Sequence, residues 1–143
     1  MKKIIISTVL INAGIWITAC KNSSDAYITG EVKGGEGKTI YIDQITSQSA
    51  VTVDSAVIDK NGHFEFSKFK PTLNFYRIRI EPQNFTILVL DSADKINYTA
   101  DIKNLAEAQI KGSKETDAFN EFNLIGKKYK KSIDSLQQTF QSE

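Results

Sequence analysis

Val51-Thr52-Val53-Asp54-Ser55-Ala56-Val57-Ile58-Asp59-Lys60-Asn61-Gly62-His63-Phe64-Glu65-Phe66 is the stretch on which the fold turns. Two runs rich in β-branched and aromatic residues flank Asp59-Lys60-Asn61-Gly62, and Asn61 and Gly62 tolerate positive φ at little cost. The pattern predicts a central β-hairpin. Phe64 and Phe66 fall on one face of the returning strand, His63 and Glu65 on the other, so one face is dry and one wet. The outgoing strand mixes two phases: Val51, Val53 and Val57 share one parity, Ala56 and Ile58 the other. A β-bulge near Asp54-Ser55 reconciles them.

Asp54, Ser55 and His63 have the residue types of a hydrolytic triad. On the predicted hairpin His63 sits opposite Asp59, so Ser55 is on the order of 13 Å away at ~3.4 Å per residue. A nucleophile and its base need hydrogen-bond contact. The three read as turn and ladder residues.

Working outward, Tyr27–Val32 and Lys38–Asp43 predict another hairpin, joined by Lys33-Gly34-Gly35-Glu36-Gly37. Gly37-Lys38-Thr39 mimics the end of a phosphate-binding loop, but Val32 stands where that motif needs its first glycine and no helix follows. It reads as turn chemistry. Gln44–Ala50 reads as a polar crossover to the central hairpin. Pro71 ends the strand region after Phe66, since proline cannot donate to a ladder.

In Phe75–Ile80, Tyr76, Ile78 and Ile80 take one face, and Arg77 and Arg79 share the other with Phe75. These are the chain's only arginines. Two adjacent guanidiniums can clamp a carboxylate or phosphate of a small ligand; the plainer reading is a solvated strand face paired with acidic neighbours. Glu81–Asn84 turns the chain, and the apolar run Phe85–Leu90 predicts a strand covered on both faces. Asp91-Ser92-Ala93-Asp94 lacks the ligand spacing of a calcium loop and reads as a hairpin turn into Lys95–Ala100. Ala108–Lys111 adds a last short strand before Gly112. The fold class is then mainly β: an antiparallel sandwich or partly open barrel of about eight short strands, followed by one long C-terminal amphipathic helix.

Val53-Asp54-Ser55-Ala56 and Gly62-His63-Phe64-Glu65-Phe66 resemble the domain of unknown function found at the N-terminus of many Bacteroidota thioredoxin-like lipoproteins. Tyr27–Val32, Gly37–Ile42 and Ile110-Lys111-Gly112-Ser113 extend the resemblance to most of the chain. It implies an envelope setting. In full-length relatives a helix leads on to a thioredoxin-like domain with Cys-x-x-Cys. This chain ends at Glu143 without such a pair, so the relatives' catalytic residues have no positions here. A truncated product and a stand-alone accessory domain both fit.

Ser113 is the predicted helix cap, with Glu115 and Asp117 near the positive end of the dipole. Phe119, Phe122, Ile125, Tyr129, Ile133, Leu136 and Phe140 then fall within about 120° of arc. The lysines at 127, 128, 130 and 131 lie outside that stripe, on a face read as solvated, with anionic headgroups the alternative contact. Phe119 and Phe122 are expected to pack on the β-domain. Ile133, Leu136 and Phe140 extend past it towards a second copy, a thioredoxin-like protein or the membrane. Gly126 weakens the helix by about 1 kcal/mol relative to alanine, which leaves room for a kink or break there; Leu124 is the one large apolar residue on the polar side.

The chain has 143 residues, room for one domain, and a net charge of +1. Its first 19 residues read as a signal peptide: Lys2-Lys3, an apolar run Ile4–Ile17 too short to span a bilayer comfortably, then Ile17-Thr18-Ala19-Cys20, which resembles a lipobox. Cys20 is the only cysteine. It is the expected lipidation site and membrane link, and Lys21 after it favours the outer membrane by analogy with enterobacterial sorting. Residues 20–25 form a lipidated cysteine and tether, 26–112 the β-domain and 113–143 the helix. Without its two leader lysines the chain is near −1, so no nucleic-acid partner is implied. One cysteine supports neither a redox pair nor a cysteine-rich zinc site, and no cofactor or metal is expected. The preferred function is a lipid-anchored accessory or interaction module. A small-ligand-binding envelope lipoprotein is the alternative, and enzyme activity is not expected.

Overall fold

The computed structural model describes residues 26–141, so the signal segment and Cys20 lie outside the described residues. Eight strands form where the alternation predicts them: β1 (Ile28–Lys33), β2 (Thr39–Ile45), β3 (Ala50–Val57), β4 (His63–Phe66), β5 (Asn74–Glu81), β6 (Asn84–Leu90), β7 (Ile96–Asp101) and β8 (Asn104–Lys111). The helix α1 (Lys114–Gln141) follows. Two four-stranded sheets, β4-β1-β7-β8 and β3-β2-β5-β6, stack as a sandwich that is antiparallel except for the β1–β7 pair. The inward parity of each strand fills one core, with Ile28, Ile42, Phe66, Tyr76, Leu88 and Tyr98 among its fully buried members. Each such side chain contributes roughly 1.5–3 kcal/mol.

The strand positions match the sequence reading better than their pairings do. The central hairpin does not form: β3 pairs with β2 and β4 with β1, in different sheets. Its turn exists, with Gly62 at φ +86° and Gly62 N–H donating to Asp59 O at 3.0 Å. The arms diverge because Phe64 and Phe66 must face the Ala56–Ile58 side across the core, not lie beside it. Main-chain bonds strap Ile58 in place, its N–H to Lys38 O and its carbonyl to Gly37 N–H, both at 2.9 Å. The predicted β1–β2 hairpin is likewise an arch between sheets. Asp91–Asp94 also turns the chain from one sheet to the other rather than within a hairpin. Conversely, Gln44–Ala50 is no crossover: it contains the tight β2–β3 hairpin loop, closed by Thr46 and Ser49.

The bulge lies at Val53, one residue from its expected place, where the register passes from Ile42↔Asp54 to Asp43↔Thr52. It turns Ala56 and Ile58 inward and leaves Val51, Val53 and Val57 exposed on an edge strand. β8 begins at Asn104, four residues before the expected start, because pairing with β7 overrides the weak strand preference of Asn104-Leu105-Ala106-Glu107.

The sandwich closes along β6 and β8 through side chains. Asn84 Nδ2 donates to Ile102 O, and Asn84 Oδ1 accepts from Leu105 N–H at 2.8 Å. Thr86 Oγ1 donates to Leu105 O and shares a 3.0 Å hydrogen bond with the Tyr98 hydroxyl, whose pKa burial pushes up to about 12.

Two glycines have opposite meanings. A Cβ on Gly30 would collide with Tyr98 O and stand 2.8 Å from the Phe64 ring, so only glycine fits between these aromatics. A Cβ on Gly126 meets nothing within 4 Å, and α1 runs through it unbroken. Gly30→Ala should therefore lose about 1–3 kcal/mol from overpacking, and Gly126→Ala should add up to ~1 kcal/mol. Urea denaturation of the two variants checks both signs.

Candidate functional site

β5 presents Arg77 and Arg79 on the outer face of its sheet, as their parity requires. Opposite them on β2 stands Asp43, register partner of Arg77. Both Nε–H groups donate to the same Asp43 Oδ2 at 2.7 Å. Thr52 Oγ1 adds a hydrogen bond to Oδ1 at 2.7 Å, across the bulge. Arg79 stacks over Tyr41 at 4.6 Å and Arg77 over Phe85 at 5.7 Å. The side chains cover Asp43 so fully that only 1% of it is exposed. The predicted carboxylate clamp is thus engaged by a carboxylate of the chain itself. Burial pushes the Asp43 pKa up, but hydrogen bonds from Arg79, Thr52 and Arg77, with the charge of Arg79, outweigh it and hold the group below 3.8.

The other sheet carries a shallow groove of about 530 Å³ edged by Thr29, Glu31, His63, Glu65, Asn97 and Thr99. Neither nearby aspartate orients the His63 ring. Asp59 Oδ1 accepts from the backbone N–H of Asn61 and of His63, and these bonds lower its pKa, that from His63 most. Asp54 accepts from Ser55 N–H and, on its other oxygen, from Lys68 and Phe69 N–H at 2.9 Å, which seats Phe69 in the core. Asp54, Ser55 and His63 therefore do not form a triad. Among the described residues no three His, Cys, Asp or Glu side chains converge as metal ligands. The carboxylates of Asp91 and Asp94 close their own turn by accepting from the N–H of Ser92 and Asp91 respectively.

The start of α1 is fixed to the edge strand β6. Ser113 Oγ accepts from Thr116 N–H at 3.1 Å, the predicted cap, and donates to Val89 O. Thr116 Oγ1 donates to the same carbonyl at 2.7 Å and accepts from Val89 N–H at 3.0 Å. Phe119 meets Phe75 edge to face at 5.6 Å. The packing ends at Asn123, which is half-buried. Phe122 does not reach the β-domain as expected and is 72% exposed, since the face turned to the sheet runs through Thr116, Phe119 and Asn123 and leaves Phe122 on the other side. Ile125, Tyr129, Ile133, Leu136 and Phe140 are exposed with it.

Of the sequence-predicted residues, the structure gathers Arg77 and Arg79 on one carboxylate and aligns the helix residues on one face. Asp43 escaped the sequence reading, although its parity with Tyr41 put it on the outer face. The Thr116 contact with Val89 left no local signal. Asp43→Asn should cost about 1–3 kcal/mol at neutral pH by weakening charged hydrogen bonds. Because the folded pKa is depressed, the Asp43 contribution is present above 3.8 and fades as pH falls through the folded value. Acid denaturation curves of the two proteins should converge below that value.

The profile of a family described as "Domain of unknown function (DUF4369)" matches residues 27–119. No curated protein and no solved structure matches the chain.

Proposed function

Because the chain belongs to the DUF4369 family, a domain of unknown function, we propose that it acts as a non-enzymatic accessory and interaction module of the cell envelope. Lipid on Cys20 anchors it, and the distal face of α1 makes its contacts. One observation carries this reading: seven large apolar side chains from Phe122 to Phe140 stand in water, with no cover from the rest of the described chain, and all but Leu124, on the opposite side, lie on one face. Burying a large apolar side chain is worth roughly 1.5–3 kcal/mol, so a stripe of six is a substantial store of unused contact energy. The family match ends at Phe119, the last helix residue with a ring contact to the β-domain, and the contact face begins just beyond it.

The lipobox-like Ile17–Cys20 supports the anchor, and several acyl chains on one cysteine give stable attachment where one is marginal. A five-residue tether extends at most ~18 Å, which keeps the β-domain close to the bilayer. The outer membrane remains the favoured location on the strength of Lys21, and the resemblance to thioredoxin-associated lipoproteins supports an envelope partner of that kind or a second copy.

Two measurements on cells making the full chain test this. Labelled fatty acid should enter the protein and be lost in Cys20→Ser; equal labelling would remove the anchor. A photo-reactive residue in place of Leu136 should give a covalent adduct in intact envelopes, while the same group at exposed Lys131 gives far less. Absence of any adduct at Leu136 would show that the face is idle.

A further inference from the structure

We infer that the occupant of the α1 face is a second copy of this chain, the two helices pairing along Phe122, Ile125, Tyr129, Ile133, Leu136 and Phe140. This rests on the module reading above and narrows it to one partner. The spacing of the six is 3-4-4-3-4, so Phe122, Ile125 and Tyr129 recur eleven residues later as Ile133, Leu136 and Phe140. An eleven-residue period is close to the natural winding of the helix, with a slight right-handed drift. At 100° per residue all six fall within about 80° of arc, and they hold that phase for about 28 Å. A helix that covers a globular surface or lies in a bilayer interface carries a broader apolar face; a stripe this narrow is a helix–helix seam. A short amphipathic helix in a protein groove typically needs only anchors at i, i+3, i+4 and i+7. This stripe runs for more than five turns.

The available area suits a pair. All six residues are 48–77% exposed. The three aromatics alone offer on the order of 400 Å² per copy, given 150–250 Å² for a buried aromatic. With the aliphatics added, two copies reach the ~1,000 Å² that marks a biological interface. Beside the stripe, the missing side chain of Gly126 leaves a notch bounded by Phe122, Asn123, Lys127 and Lys130, open to a side chain of the partner helix.

Charge separates this occupant from the others. Lys128 and Lys130 flank the stripe at about 100° on either side, and Lys127 and Lys131 lie behind it. Two paired helices bring the flanking Lys128 and Lys130 of both copies towards the seam, so added salt strengthens pairing by screening them. An anionic membrane or an acidic protein would attract the same lysines, and salt would weaken that contact.

The full chain, purified in a mild non-ionic detergent, is followed by sedimentation across protein concentration at low and high salt. The expected mass is two copies, more populated at higher concentration and at higher salt. Leu136→Glu with Phe140→Glu should weaken association roughly 100-fold or more, as loss of interface anchors does. Lys127→Glu with Lys131→Glu, behind the stripe, should leave the pair intact. Thermal unfolding of the β-domain should be unchanged in both, which separates loss of pairing from loss of fold. A monomer at every concentration and salt overturns the inference, as does a dimer indifferent to the Leu136 and Phe140 substitutions. Salt-weakened binding to vesicles of phosphatidylglycerol in phosphatidylethanolamine, without self-association, would give the face to the membrane instead. A Leu136 adduct to a different protein, with a monomer in sedimentation, would keep the module reading and overturn only this one.

Discussion

The placement of α1 depends on one peptide unit of β6. Val89 lies on an edge strand, whose outward N–H and C=O have no ladder partner. The first turn of a helix has the matching deficit, N–H groups without acceptors. Ser113 and Thr116 resolve both at once: Thr116 Oγ1 serves the Val89 N–H and C=O together, and Ser113 Oγ serves that same carbonyl and the helix. The contact blunts an edge that would otherwise be open to further strands, and it fixes the origin and direction of the helix. Phe119 on Phe75 adds one ring contact, and beyond Asn123 every residue through Phe140 is exposed. A short polar clasp therefore fixes where the helix starts, and the apolar stripe beyond Asn123 points away from the core of the described residues.

The arginine pair shows the same economy on the sheet's outer face. Two guanidiniums side by side on β5 repel, and Asp43 on β2 relieves that by accepting from both. Its carboxylate is desolvated at a cost, and four hydrogen bonds to three partners offset it. Tyr41 and Phe85 hold the planar groups flat against the sheet. The result braces β2, β5 and the bulged β3 through side chains, across a register shift where the ladder itself is irregular.

Strands, core faces and the helix stripe were legible in the sequence because periodicity is a local property. Pairing was not. Asp59-Lys60-Asn61-Gly62 reports that the chain reverses, and it does, but a turn carries no information about whether its arms share a sheet. Phe64 and Phe66 look the same beside β3 or across the core from it. The real hairpin at Thr46–Ser49 lacked Gly or Pro and relied on a threonine hydroxyl, a weaker signal. Asp43 meets Arg77 and Arg79 across more than thirty residues, beyond any local pattern. Phe119 and Phe122 share the apolar stripe, and the sequence does not show that the sheet takes the face of Thr116, Phe119 and Asn123, which packs one ring and exposes the other.

That separation bears on what the distal helix is. A helix owes most of its stability in proteins to packing of an apolar face, and isolated helices of this length are marginal in water. Past Asn123, α1 has no such packing among the described residues, contains Gly126 and has no basic residue in its last turn to oppose the dipole. What it does have is a stripe that stays in phase from Phe122 to Phe140. Residues that pack on nothing cannot stabilise the helix in a lone chain, yet they are placed as a packed helix would need them. The sequence is consistent with itself only when something lies against that face, so order in the distal helix and occupancy of the stripe are two sides of one equilibrium.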